Sequence, residues 1–183
     1  MTRWLEVRRH SLTKKGDSRG RGSHLSNEGI ALARAVGERT GPFTYVICGE
    51  LPRHLETAVA MGFAVDGTVA LPSGYVPGEV NHHDQWDWPE PYVRYKEILD
   101  QQRGLAKVAS EHREIWLHAL SSIADGESAL VVSSGGAIEP TLVSCLPDHD
   151  HRAWGKPFSH CDGVRLTFEG GNFVDATIDR ARP

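Results

Sequence analysis

Trp4-Leu5-Glu6-Val7-Arg8-Arg9-His10-Ser11 is a partly apolar segment that runs directly into a cluster of basic and polar side chains. Leu5 and Val7 fit a short buried strand, and the Gly-, Lys- and Ser-rich residues that follow predict a loop. Ser26 then fits the N-cap of a helix, which Gly41-Pro42 ends. The chain therefore begins with a strand, a loop and a helix.

The same alternation of strand and helix continues along the chain. The predicted segments are a strand at Phe43–Cys48, a helix from Pro52, helices near Tyr92–Gln101 and Leu105–Ala124, a strand at Ala129–Ser133 with a helix through Leu146, and a hairpin of Val164–Phe168 and Phe173–Ile178. Between them, Asp66–Pro91 has no sustained period and is long for an inert connection, which is typical of a functional loop. We expect a three-layer α/β/α sandwich, with a mostly parallel central sheet and an antiparallel C-terminal hairpin, in one domain of residues 1–183.

Composition excludes several classes of function. The 183 residues contain 20 Lys and Arg against 24 Asp and Glu, a net charge of -4, which argues against a nucleic-acid-binding protein. No apolar run approaches the roughly 20 residues that span a bilayer, and the first residues lack the apolar region of a signal peptide. We therefore expect a cytoplasmic protein that does not bind membranes. Cys48, Cys145 and Cys161 lie in apolar stretches and are predicted to be structural thiols.

Polar side chains follow three of the predicted strands. Arg9, His10 and Ser11 follow the first strand, Arg53 lies just beyond the second, and residues 133–136 follow a later one. Because ligands collect at the carboxyl ends of strands in such sheets, these residues should converge on one site. Guanidinium groups bind phosphate oxygens bidentately, and an imidazole beside them can attack phosphorus to give a phosphohistidine. Taken alone, the same residues are also compatible with surface charges and an ordinary loop histidine.

The order of several motifs resembles the histidine phosphatase superfamily, also called the phosphoglycerate mutase-like family. The resemblance covers nearly the whole chain. It rests on Arg9-His10-Ser11, similar to the family's Arg-His-Gly signature, Leu25-Ser26-Asn27-Glu28-Gly29, Leu51 to Ala58 with its Arg-x-x-x-Thr-Ala pattern, Val131-Val132-Ser133-Ser134-Gly135-Gly136, and Ser159 to Val164 before the last hairpin.

That resemblance implies a role for each residue of the predicted site. His10 would be the phosphoryl-accepting nucleophile, and Arg9 and Arg53 would clamp the phosphate. Ser11 and Gly135 would also belong to the phosphate-binding site. Family members usually carry an acid after the second arginine, which protonates the leaving oxygen and then activates water. Glu79 is the best match for that acid, with Asp84 and Asp87 as competitors.

The sequence departs from the family pattern at Ser134, which stands where the family has its second catalytic histidine. A hydroxyl donates from a different distance than an imidazole and carries no positive charge, so the change affects catalysis directly. We expect a phosphoric monoester hydrolase that acts on a small phosphorylated metabolite without metal or cofactor, with activity reduced or altered at Ser134. The alternatives are an inactive binding or regulatory protein that kept the phosphate pocket, and an enzyme that reuses the scaffold for other chemistry. The oligomeric state is left open.

Overall fold

The computed structural model describes residues 1–16 and 23–182. Within those residues the chain alternates between strands and helices. The strands are β1 (Thr2–Arg9), β2 (Tyr45–Gly49), β3 (Gly67–Val69), β4 (Ser128–Ser133), β5 (Gly163–Glu169) and β6 (Asn172–Asp179). The α-helices are α1 (Asn27–Gly37), α2 (Pro52–Ala60), α3 (Pro91–Leu99), α4 (Gly104–Ser121) and α5 (Ile138–Cys145).

All six strands join one sheet in the order β3-β2-β4-β1-β5-β6. The pairs β2–β3, β2–β4 and β1–β4 are parallel, whereas β1–β5 and β5–β6 are antiparallel. This arrangement confirms the predicted parallel sheet with an antiparallel C-terminal hairpin. Strands from both ends of the chain lie side by side in the sheet.

Helices cover both faces of the sheet, as the buried central strand β4 requires. Ala129 and Val131 pack into the core beneath α3, α4 and α5. Leu130 and Val132 point the other way, into a smaller core beneath α1 and α2. Successive side chains of a strand face opposite sides, so a strand covered on both faces is apolar throughout. The predicted three-layer sandwich is confirmed.

The register of the central strands brings their carboxyl ends to one edge. Arg9 lies opposite Ser133 across the β1–β4 pair, and Cys48 lies opposite Val132 across β2–β4. The backbone N–H of His10 extends the ladder by donating to the carbonyl oxygen of Ser133 at 2.8 Å. The residues that follow β1, β2 and β4 are therefore neighbours in space.

One segment of the fold differs from the sequence prediction. The segment predicted as an irregular loop contains β3, a strand of three residues that is too short to show a period. As predicted, a short turn separates β4 from the next helix, which begins at Ile138. Cys48, Cys145 and Cys161 are buried free thiols, as predicted. No helix in the described part of the chain is long and apolar enough to cross a bilayer.

Candidate active site

A cleft of about 470 Å³ opens beyond the carboxyl ends of β2 and β4. Its lining includes Arg53 and His54 from the start of α2, Ser134 and Gly135 after β4, and Tyr75 and His82 from the long loop. Arg53 lies in the first turn of α2, behind Pro52, and its carbonyl oxygen accepts a hydrogen bond from the Thr57 hydroxyl at 2.7 Å. The cleft thus gathers residues that are far apart in the sequence.

His10 adjoins this cleft and is held as a neutral imidazole. Its ring centroid lies 5.6 Å from that of His54. Nδ1 lies 2.8 Å from the carbonyl oxygen of Ser11, and because a carbonyl only accepts, Nδ1 carries the proton. Burial, together with the positive charges of Arg9 and Arg53, holds the pKa of His10 well below its ordinary value. The lone pair of Nε2 is therefore available for attack on an electrophile.

The Arg9 side chain packs against Gly135, which lines the cleft. A Cβ added to Gly135 would approach the Arg9 Cδ atom to 3.1 Å, so glycine leaves room for the guanidinium. One terminal nitrogen of Arg9 donates to the carbonyl oxygen of Phe158 at 2.7 Å, and the other lies 3.5 Å from His160 Nε2. The Nε atom is buried without a hydrogen-bond partner among the described residues. Burial lowers the pKa of Arg9, and the negative charge of Glu139 opposes that effect.

Two further histidines flank His10, and the sequence analysis did not single them out. His54 is 2% exposed, and its Nε2 lies 2.7 Å from the Ser134 hydroxyl oxygen. His160 lies in the turn before β5, and its ring centroid lies 5.6 Å from that of His10. Burial, with Arg9 and other nearby cations, lowers the pKa of His160 to about 4. The sequence held a signal for each: His54 directly follows Arg53, and His160 lies within the Ser159 to Val164 motif.

Two solved structures with the same architecture are named as phosphatases. The chain matches a phosphoserine phosphatase of Entamoeba histolytica, crystallised with 3-phosphoglyceric acid, with a TM-score of 0.69 and 16% identity over 98% of both chains. It matches a mycobacterial glucosyl-3-phosphoglycerate phosphatase with a TM-score of 0.67 and 19% identity, again over 98% of both chains. No protein-family model and no curated protein sequence matches the chain. The chain has the histidine phosphatase fold.

Within that fold, His10, Arg53, His54 and Ser134 lie close together, with Arg9 behind Gly135. The cluster carries two arginines and neutral imidazoles, a combination suited to an oxyanion with a nucleophile beside it. This matches the convergence expected from the strand ends.

Ser11 and Glu79 are not brought into the cleft. Ser11 is fully buried, its N–H donates to the Thr57 hydroxyl at 2.9 Å, and its own hydroxyl donates to the Gly29 carbonyl oxygen at 2.7 Å. The Glu79 carboxylate accepts from the N–H groups of Gly104 and Leu105 at 2.9 and 3.0 Å. It therefore caps α4, where a negative charge satisfies free donors and favours the helix dipole. The sequence could not show this, because the capped helix begins 25 residues later.

The competing carboxylates also lie elsewhere. Asp84 accepts from the Asn81 N–H at 2.8 Å and begins a short turn, and Asp87 is exposed at its end. Neither lines the cleft, whereas Glu50, three residues before Arg53, does. Glu50 is the only carboxylate among the cleft-lining residues of the described chain.

Proposed function

We propose that the protein is a phosphoric monoester hydrolase that removes phosphate from a small metabolite through His10. The observation that carries the proposal is the hydrogen bond from His10 Nδ1 to the Ser11 carbonyl oxygen, at 2.8 Å. It fixes the tautomer and leaves Nε2 unprotonated in a site whose electrostatics are also shaped by Arg9 and Arg53. An activated nucleophile held by a second group is the pattern expected of covalent catalysis.

In the first step, the His10 Nε2 lone pair forms a bond to phosphorus while the phosphorus–oxygen ester bond breaks. The electron pair of that bond leaves with the alcohol oxygen, which takes up a proton. Arg9 and Arg53 stabilise the charge on the equatorial oxygens. In the second step, water attacks phosphorus, the phosphorus–nitrogen bond breaks, and inorganic phosphate leaves with neutral His10 restored.

The proton for the departing alcohol must come from the cleft wall. Glu79 is committed to the N-terminus of α4, so its placement does not favour the acid role expected from the sequence. Among the described residues, the cleft lining contains one carboxylate, Glu50, and three histidines, His54, His82 and His112. We assign the proton transfer to Glu50, because a carboxyl group can donate the proton and then, as carboxylate, accept one from water.

The substrate class follows from the cleft and from the structural neighbours. A cleft of about 470 Å³ accommodates a metabolite rather than a folded protein. Proteins with the same fold are named for glucosyl-3-phosphoglycerate and phosphoserine, both small phosphate esters. The reaction needs no metal or organic cofactor, because the histidine, the arginines and water supply every group involved.

A second candidate is a regulatory protein that binds phosphorylated ligands without turnover. It is favoured by the two positions at which the expected catalytic machinery is altered. Ser134 stands where the resemblance implies a histidine, and Glu79 is bonded to α4. Under this alternative, Arg9, His10 and Arg53 would still bind the phosphate group.

Release of phosphate from a panel of small phosphate esters tests both candidates. The panel should include 3-phosphoglycerate, phosphoserine, sugar phosphates and an aryl phosphate, with His10→Ala as the matched blank. We expect turnover by the native protein and none by the variant. No turnover by either protein, together with binding of the same esters to both, would instead establish the regulatory candidate.

A further inference from the structure

Ser134 and His54 form a buried pair between two strand ends. Ser134 follows β4 and is half-buried on the cleft wall, whereas His54 lies in the first turn of α2 after β2. The His54 Nε2 and Ser134 Oγ atoms are 2.7 Å apart, a normal hydrogen-bond distance. The direction of this bond decides what the serine hydroxyl can do in the cleft.

The surroundings of the second ring nitrogen decide that direction. His54 Nδ1 is buried without a hydrogen-bond partner among the described residues. A Cβ added to Gly49 would lie 2.1 Å from this nitrogen, so the backbone of Gly49 packs directly against it. Either tautomer leaves Nδ1 without a partner, and a buried N–H that lacks an acceptor is rarer in folded proteins than a buried acceptor that lacks a donor. The single proton of the neutral ring therefore lies on Nε2 and is donated to Ser134.

Because Ser134 Oγ accepts from His54, its own hydrogen is free to point into the cleft beside Arg53 and Gly135. We propose that His54 is a positioning residue that turns the Ser134 hydroxyl into a hydrogen-bond donor for the phosphoryl group transferred to His10. The His54–Ser134 pair would thereby do the work of the histidine that the family pattern places at position 134. This inference rests on the proposed phosphatase function.

A different use of the same pair is serine nucleophilic catalysis, with His54 as the base. The geometry disfavours it, because a base must accept the serine proton at Nε2, where His54 donates. Such a base is normally oriented by a third group, whereas His54 Nδ1 has no partner in the described chain. Burial, with the positive charge of Arg53, also lowers the pKa of His54 to about 3, far from that of an effective base near pH 7.

The test compares the native protein with Ser134→Ala, His54→Leu, the double variant and His54→Gln in steady-state kinetics on the best ester of the panel. We expect each of the first two changes to lower kcat at least tenfold with a smaller change in KM, since the bond acts on the transferring group. The double variant should be no slower than Ser134→Ala, because both changes remove one interaction. Additive losses, or native turnover by Ser134→Ala, would overturn the proposal.

The His54→Gln variant separates positioning from simple packing. The glutamine side-chain amide can place its nitrogen where His54 Nε2 lies and donate to Ser134, whereas leucine of similar size cannot. We expect His54→Gln to retain kcat within about threefold, with an unchanged pH profile between pH 5 and 8, since neither side chain titrates there. A loss in His54→Gln as large as in His54→Leu, with both variants folded, would show that His54 only packs.

Binding of vanadate provides a readout that does not require turnover. Vanadate takes up the five-coordinate geometry of phosphoryl transfer, so Ser134→Ala and His54→Leu should weaken its binding about tenfold and non-additively. If the native protein hydrolyses nothing, the proposed function fails, while this non-additive loss would still bear out the hydrogen bond to the bound oxyanion. Unchanged vanadate binding in both variants would contradict it.

Covalent labelling with substrate tests the serine alternative separately. An acid-stable phosphoryl label on Ser134 would identify serine as the nucleophile and overturn the proposal.

Discussion

Arg8 and Arg9 are adjacent on β1, yet they belong to opposite kinds of environment. Arg8 is 1% exposed, and all three of its nitrogens are bonded, to Glu6, to Asp179 and to the Cys161 carbonyl oxygen. Among the described residues, Arg9 donates to the carbonyl oxygen of Phe158 at 2.7 Å, and its other terminal nitrogen lies 3.5 Å from His160 Nε2. The first arginine is neutralised by carboxylates, and the second keeps its charge beside a cleft.

Glycines make room for both side chains. A Cβ at Gly163 would lie 2.7 Å from Arg8, just as one at Gly135 would crowd Arg9. The backbone therefore treats the two arginines alike, and only their partners differ. A buried ion pair that is fully bonded serves the fold, whereas a cation such as Arg9, which has no carboxylate at hydrogen-bond distance among residues 1–16 and 23–182, is suited to an anionic ligand. This contrast predicts that similar substitutions will affect different measurements.

Arg8→Met should give the largest effect and should act on stability. Removing the guanidinium leaves the buried carboxylate of Glu6 without its cation, which typically costs about 3–5 kcal/mol of unfolding free energy. Urea unfolding measures the loss, and turnover per folded molecule should stay near native. Arg39→Gln is the matched control, because Arg39 bonds the same Asp179 from the surface and should cost less than about 1 kcal/mol. Equal losses in the two variants would contradict this picture of Arg8.

Arg9→Lys should act on catalysis instead. Lysine keeps the positive charge but loses the planar fork that binds two phosphate oxygens together. We expect kcat/KM to fall roughly 30- to 1,000-fold, about 2–4 kcal/mol, while the unfolding free energy changes by about 1 kcal/mol or less. Steady-state kinetics and urea unfolding on the same preparation separate the two quantities. Native kinetics in Arg9→Lys would remove Arg9 from the site.

The buried imidazole of His54 should make stability depend on pH. Burial lowers its pKa in the folded protein to about 3, below the ordinary 6.5 of the unfolded chain. The unfolded state therefore binds the proton first, and stability falls as pH drops below about 6.5. Compared with His54→Gln, the native protein should lose about 1–2 kcal/mol more between pH 6.5 and 5. Parallel urea titrations at the two pH values measure this, and equal losses would show that His54 is readily protonated in place.

Glu79→Gln should give the smallest effect. An amide loses one of the two acceptor positions that cap α4 and the charge that favours its dipole, which costs about 1 kcal/mol. Turnover should stay within about twofold of native, whereas Glu50→Gln should lower it at least tenfold. The opposite ranking of the two variants in a phosphate-release assay would return the acid role to Glu79.

The sequence predicted the architecture well because apolar segments ended in polar residues at each strand terminus. It also predicted the meeting of His10, Arg53 and Ser134, since parallel strands share one carboxyl edge. It did not distinguish Glu79 from a site residue, because a loop carboxylate reveals nothing about a helix start 25 residues away. Nor did it indicate the His54–Ser134 hydrogen bond, which depends on how the first turn of α2 packs beside the end of β4.

Detection of a phosphohistidine at His10 tests the central claim most directly. The protein is mixed with labelled substrate, quenched in alkali within milliseconds to seconds, and the label is mapped to a peptide. The account predicts an acid-labile, alkali-stable phosphoryl group on the peptide that contains His10, absent from His10→Ala and formed fast enough to support turnover. A label on another residue, or undiminished turnover by His10→Ala, would contradict it.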